Sequence, residues 1–277
     1  MTTFWKRLFG TTNTDTSISL DKPFTLTLAN GDRVPSVYVD QANDPANVIP
    51  YLKLGALPRP AIFITGGAGK MSDEDKLMTR RMFEEGIAPF AQEHQVVVID
   101  GGTQSGVIEM MATARAKGNF TFPLIGIAPQ VKVGYKEKVG EPQGDALCPG
   151  HSQFVLVTGE EYGAESEMII YMAHVLAGGH RDRAGRAASA VGIVINGGQI
   201  TRQEVYLATT KHLSMPLVVL EGSGRFADEL ATAARTGETS QALLKSIISR
   251  GDIQLVSTTS GPRAMLEKLK LAFEHQP

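Results

Sequence analysis

The sequence predicts an α/β fold, a parallel sheet with helices on both faces, preceded by a β-hairpin. Three observations carry that prediction. Six short apolar runs recur without polar alternation, as strands buried on both faces require. Helical periods fill the stretches between them, which makes βαβ units. Five of the runs end in a glycine-containing turn, the usual passage from strand to helix at the ligand edge of such a sheet.

The elements follow in order. Residues 24–39 (FTLTLANGDRVPSVYV) alternate on both sides of Asn30-Gly31, a hairpin signal, and are expected to precede the main domain as a flap or edge addition. The buried runs are AIFIT (61–65), VVVID (96–100), FPLIGIA (122–128), FVLVT (154–158), VGIVIN (191–196) and PLVVLE (216–221). Ser72 and Asp75 can box the start of a helix whose Met78, Met82, Phe83, Ile87 and Phe90 share one side. Val107, Met110, Met111 and Ala114 mark a second helix, stopped by Gly118. Further helices are expected after Gly163, Ile200 and Gly224, and at 240–249 and 262–274 around a last strand at 253–256. Residues 21–277 thus read as a single Rossmann-like domain. Residues 1–20 read as a frayed tail, free to dock through Phe4, Trp5 and Phe9. Residues 129–152 hold four Gly and three Pro without a period, and are expected to form a lid or binding loop without structure of its own.

Composition removes several functions. The 277 residues carry 27 Lys+Arg against 29 Asp+Glu, a net charge of −2, which lacks the basic excess of a nucleic-acid or membrane-surface binder. The lone Cys148 cannot pair internally and suits a reducing cytoplasm. No apolar run approaches the roughly 18 residues of a membrane span. The six His show no metal-ligand spacing, so no metal is expected.

Glycine is in excess, and its positions are informative. Twelve of the 29 Gly fall in five strand-end turns: ITGGAGK (64–70), IDGGTQSG (99–106), VTGEEYG (157–163), INGGQIT (195–201) and LEGSGR (220–225). A helix starting there presents free N–H groups, and glycine lets backbone approach an anion. The candidate ligand-binding residues are therefore Thr65, Gly66 and Gly67; Gly101, Gly102 and Thr103; Tyr162 and Gly163; Gly197, Gly198 and Thr201; and Gly222, Ser223, Gly224 and Arg225. Neither a Walker loop nor a dinucleotide G-x-G-x-x-G fits: Ile64 and Met71 break the first, and Ser72 breaks the second.

Among single residues, Arg225 opens a helix in a Gly-Ser-Gly-Arg turn, where its fork can take phosphate. Glu204 can hold ribose hydroxyls or stabilise a ribosyl cation, and equally can serve the dipole of its helix. His151 reads as a structural histidine. Glu160, Glu161 and Glu165 read as helix capping, with one carboxylate within reach of a ribose. Lys132, Lys136 and Lys138 read as a solvated loop face.

GGQITRQEV (197–205) resembles the PGGxGTxxE signature of the LOG phosphoribohydrolases, with Asn196 for the Pro and Ile200 for the later Gly. ITGGAGKM, IDGGTQSGV, IGIAPQ, HSQFVLVTGEEYGAE and EGSGRFAD, in that order over about residues 60–230, resemble the ligand-sensing N-terminal domain of melastatin-type TRP channels. They equally resemble its prokaryotic SLOG, or LSDAT, relatives. The resemblance implies a Rossmann-like fold that binds ADP-ribose and related NAD-derived nucleotides. It places Thr65, Gly66 and Gly67 at the first phosphate turn, Gly198 and Thr201 at the diphosphate turn, and Tyr162 and Arg225 at ligand-contacting positions. Ile169 stands where an ADP-ribose-gated channel carries a second arginine. The expected function is a cytoplasmic sensor for such a nucleotide, with a homodimer partner or an effector protein. The alternative is a nucleotide N-glycosidase with Glu204 as its catalytic carboxylate.

Overall fold

The computed structural model describes residues 19–138, 144–179 and 189–274. The tail and its Phe4, Trp5 and Phe9 lie outside them. Strands β1 (Lys22–Thr27), β2 (Arg33–Val39), β3 (Ala61–Gly66), β4 (Val97–Asp100), β5 (Leu124–Pro129), β8 (Gln153–Val157), β9 (Ala190–Ile195), β10 (Leu217–Glu221) and β11 (Ile253–Ser257) form one sheet. Their order is β1-β2-β8-β5-β4-β3-β9-β10-β11. Every neighbouring pair is parallel except β1 with β2. After β3 the chain builds the sheet to one side through β4, β5 and β8, then crosses to the other side with β9. The boundary between β3 and β9 is a topological switch point, where the crevice of an open α/β sheet forms.

The apolar runs lack alternation because both faces of the sheet are covered. Ala61 and Phe63 face a core closed by α1 (Pro45–Leu52), α5 (Ser166–Leu176), α6 (Gln199–Ala208), α7 (Arg225–Thr236) and α8 (Ala242–Arg250). Ile62 and Ile64 face a second core under α2 (Asp73–Met82), α3 (Ala88–Glu93), α4 (Gly106–Lys117) and α9 (Gly261–Glu274). Among the described residues, no helix is long and apolar enough to cross a membrane.

Four findings modify the expectations. The hairpin is an edge addition, since β2 pairs in parallel with β8 and Val37 stands opposite Val155. Helix α1 escaped the sequence reading because Pro50 interrupts its pattern; Asp44 caps it by accepting from the Ala46 amide at 2.9 Å, and buried Val48, Ile49 and Leu52 hold it down. The helix expected from Ser72 to Phe90 is broken into α2 and α3 by a π turn at Phe83–Ile87. Its Gly86 packs against α9 at Pro262 and Met265.

The fourth concerns residues 129–152, whose described parts, 129–138 and 144–152, have structure of their own. A 3-10 turn at Gln130–Lys132 leads into β6 (Val133–Gly134), which pairs with β7 (Asp145–Ala146). Val133, Tyr135 and Leu147 pack on Leu26, Phe154 and Leu156, forming a third core on the hairpin side of the sheet, on the face away from α1. Glu137 accepts from the Thr27 amide at 2.7 Å and from its hydroxyl, which fastens this cover to β1.

Ser72 caps α2 by accepting from the Asp75 amide at 3.0 Å. Ser72→Ala is expected to cost about 1 kcal/mol in urea denaturation, with an unchanged m-value.

Candidate ligand-binding site

The C-terminal ends of β3 and β9 meet as closely as backbone allows. Gly66 has φ +147, and a Cβ there would stand 1.9 Å from the Ile195 carbonyl oxygen. Only glycine fits that approach. Beyond β9 the backbone turns at Asn196, itself at φ 55. The Asn196 side chain accepts from the Gly197 amide at 2.8 Å and donates to the Ser223 carbonyl at 2.6 Å. The Ser223 hydroxyl accepts from the Asn196 amide at 2.7 Å and donates to the Leu220 carbonyl at 2.6 Å. These bonds bind the turns after β9 and β10 into one unit and occupy the Ser223 hydroxyl internally.

Arg225 heads α7 with φ 53, and its side chain is exposed. Its guanidinium lies across two glycine turns: a Cβ on Gly198 would be 2.8 Å from Nη2, and one on Gly69 would be 3.5 Å from Nη1. Among the described residues no carboxylate pairs with it. Helices α4, α6 and α7 start at Ser105, Gly198 and Gly224 without a side-chain cap hydrogen bond. A cation free of an anion beside uncapped helix starts has the charge and the free N–H groups that suit an anion.

Next to this locus opens a cleft of about 260 Å³. Thr65, Gly66, Gly101, Thr103, Tyr162, Thr201 and Glu204 line it, as does Ile169. Gly67, Gly102, Gly163, Gly197, Gly222 and Gly224 do not line it but shape the turns around it. Gly163, for example, donates its amide to Glu165 at 2.8 Å. A larger cleft of about 620 Å³ lies against α5 near Tyr171 and His212, and none of the five glycine turns lines it.

Glu204 is the chemical centre of the smaller cleft. It is 5% exposed, accepts from the Ser166 hydroxyl at 2.7 Å and also accepts from Thr65. Burial pushes its carboxyl up to about 7, opposed by these two hydroxyls and reinforced by the Glu165 charge. Glu165, also in the cleft wall, is raised chiefly by burial. The Tyr162 hydroxyl donates to Asp145 at 2.6 Å, and burial together with that carboxylate holds the phenol well above its ordinary value. Asp145 lines the cleft too, so the cover over 129–152 forms one of its walls. Among the described residues, no cationic side chain lines this cleft.

Two lysines of the cover are engaged elsewhere. Lys132 pairs with Glu161 at 2.9 Å, and Lys138 donates to the carbonyls of Gln130 and Val133 at 3.1 and 2.9 Å. Sequence reasoning missed Asp145, Ser105 and Ser166. Asp145 lies in an aperiodic stretch, and Ser105 and Ser166 belong to helix starts where serine is ordinary.

A family model described as SLOG in TRPM, prokaryote, matches residues 59–267, which include every turn described above. The chain belongs to this family. This SLOG domain is 29% identical over 250 residues to a transient receptor potential channel of Caenorhabditis elegans, covering 79% of the chain and 12% of the channel. It is 27% identical over 230 residues to transient receptor potential cation channel subfamily M member 2 of Rattus norvegicus, covering 71% and 15%. Against the subfamily M member-like 2 channel of Nematostella vectensis it is 30% identical over 207 residues, covering 64% and 13%. The SLOG chain thus spans 12–15% of the length of these relatives, in their N-terminal regions.

Proposed function

We propose that the chain binds and senses a nucleotide-derived ligand such as ADP-ribose. In this reading the phosphate lies on the Gly69 turn after β3 and the Gly198 turn at the start of α6, under Arg225 at the start of α7. The ribose hydroxyls enter the adjoining cleft and donate to its carboxylates. The observation that carries the reading is the unpaired Arg225 guanidinium spread over two glycine turns. The lack of cations in the cleft agrees with an uncharged, hydroxyl-rich end entering there.

A second reading, N-glycosidic hydrolysis, is favoured by one feature: a buried carboxyl at about 7 can serve as acid or base near neutral pH.

One experiment separates the two. The protein is incubated with ADP-ribose, NAD, AMP and CMP while thermal shift and base release are followed together. At ten times Kd, binding stabilises the fold by about 1.4 kcal/mol, and the sensor reading expects that shift with ADP-ribose without base release. Base release abolished by Glu204→Gln would replace the sensor with the hydrolase. No shift with any nucleotide would end both readings.

A further inference from the structure

The Asp100–His151 pair lies beneath the cleft and has no part in the function proposed above. Both side chains are fully buried, with His151 Nε2 2.9 Å from Asp100 Oδ1. His151 Nδ1 stands 2.9 Å from the Cys148 carbonyl, so both ring nitrogens face oxygens. Nδ1 must carry a proton toward that carbonyl, and a further proton is shared between Nε2 and the carboxylate. Asp100 Oδ1 also accepts from the Gly102 amide at 2.8 Å, while Oδ2 is buried without a partner. An unsatisfied buried oxygen is costly, so a pair kept for stability alone is a poor explanation.

The pair joins two segments. On one side is the turn after β4, whose Gly101 and Thr103 line the cleft. On the other is the returning limb of the cover, whose Asp145 lines it as well. Between them run Gln104 N to the Ala146 carbonyl at 2.7 Å and Cys148 N to the Gly102 carbonyl at 2.8 Å. Gly102 cannot fix the turn through a side chain, because a Cβ there would lie 2.9 Å from Gly126 Cα. The neighbouring carboxylate and the imidazole hold it instead.

We propose that Asp100 and His151 are positioning residues that clamp the β4 turn to the returning limb of the cover and so fix how these two adjoining stretches of the cleft wall sit against each other. The effect on ligand rests on the nucleotide-binding reading; the clamp itself does not.

The test uses His151→Phe, which keeps a ring against Phe154, now 5.1 Å from the imidazole, and removes both hydrogen bonds. Amide hydrogen exchange and ADP-ribose affinity are measured on the full chain. Exchange at Gly102, Gln104 and Cys148 is expected to quicken at least about tenfold while amides of β9 and β10 stay unchanged, and the Kd for ADP-ribose is expected to rise about tenfold. A merely structural role would quicken all amides together, and that result overturns the proposal. Unchanged exchange overturns it also, as does local quickening with unaltered ADP-ribose affinity. If ADP-ribose binds neither protein but the exchange is locally quickened, the clamp stands and the nucleotide reading fails. Should His151→Phe not fold, Asp100→Asn is judged by the same amides, because both contacts fall on Oδ1, where an amide can place its acceptor for Gly102 or its donor for Nε2 but not both.

Discussion

Glu204→Gln is expected to be more stable than the wild type by about 3 kcal/mol at pH 8 and nearly equal to it at pH 4. The sign follows from the raised carboxyl, which sits at about 7 in the fold against an ordinary 4.5. Below about 4.5 both the folded and unfolded states hold the proton, and burial of the neutral acid costs little. Between 4.5 and 7 the unfolded chain releases its proton while the folded chain keeps it, so rising pH draws the equilibrium toward unfolding. Above 7 the folded state holds a buried carboxylate, and the loss is complete. Glutamine has no proton to lose and retains polar contact with Thr65 and Ser166. Urea denaturation of both proteins from pH 4 to 8 measures the difference; parallel curves would show that the fold does not raise the Glu204 carboxyl.

Arg225→Ala is expected to weaken ADP-ribose binding about 10- to 100-fold, the loss of one or two charge-assisted hydrogen bonds of about 1.5–3 kcal/mol in total. Stability should move by less than about 0.5 kcal/mol, because the side chain is exposed and α7 is anchored by Phe226, Ala227 and Leu230. Arg225→Gly separates the two effects further. It should lose the same affinity yet gain up to about 1 kcal/mol of stability, since glycine accepts the left-handed backbone that Arg225 occupies at φ 53. Calorimetric titration beside thermal denaturation reads both quantities. An Arg225→Ala protein that binds ADP-ribose as tightly as the wild type would remove the phosphate from this locus.

The core strands were legible because burial on both faces leaves short apolar runs without polar alternation, bounded by turn residues. The glycine turns were legible because close backbone approach, as at Gly66 against Ile195, admits one residue type. What escaped notice depends on partners far along the chain. Residues 129–152 have no period because their core residues, Val133, Tyr135 and Leu147, pack on β1, β5 and β8 rather than on a helix face of their own. Thr65 and Glu204 could be suspected separately from their strand-end and helix-start positions. Their hydrogen bond could not, nor could the one between Ser166 and Glu204, since those partners are 139 and 38 residues apart. The Asp100–His151 contact spans 51 residues and left no local pattern.

The switch-point topology also sets the order in which the molecule can be made. Strand β3 leaves the ribosome long before β9, its partner on one side, and the carboxylate that receives Thr65 follows 139 residues behind it. The hairpin waits similarly, for the Gln41 amide just after β2 donates to the Thr158 hydroxyl, 117 residues on. Contacts of such high sequence separation slow folding and leave apolar strands bare during synthesis. The ligand edge is therefore among the last parts of the chain to form, and a translation product that stops short of β9 would carry the first glycine turn with nothing to close against it.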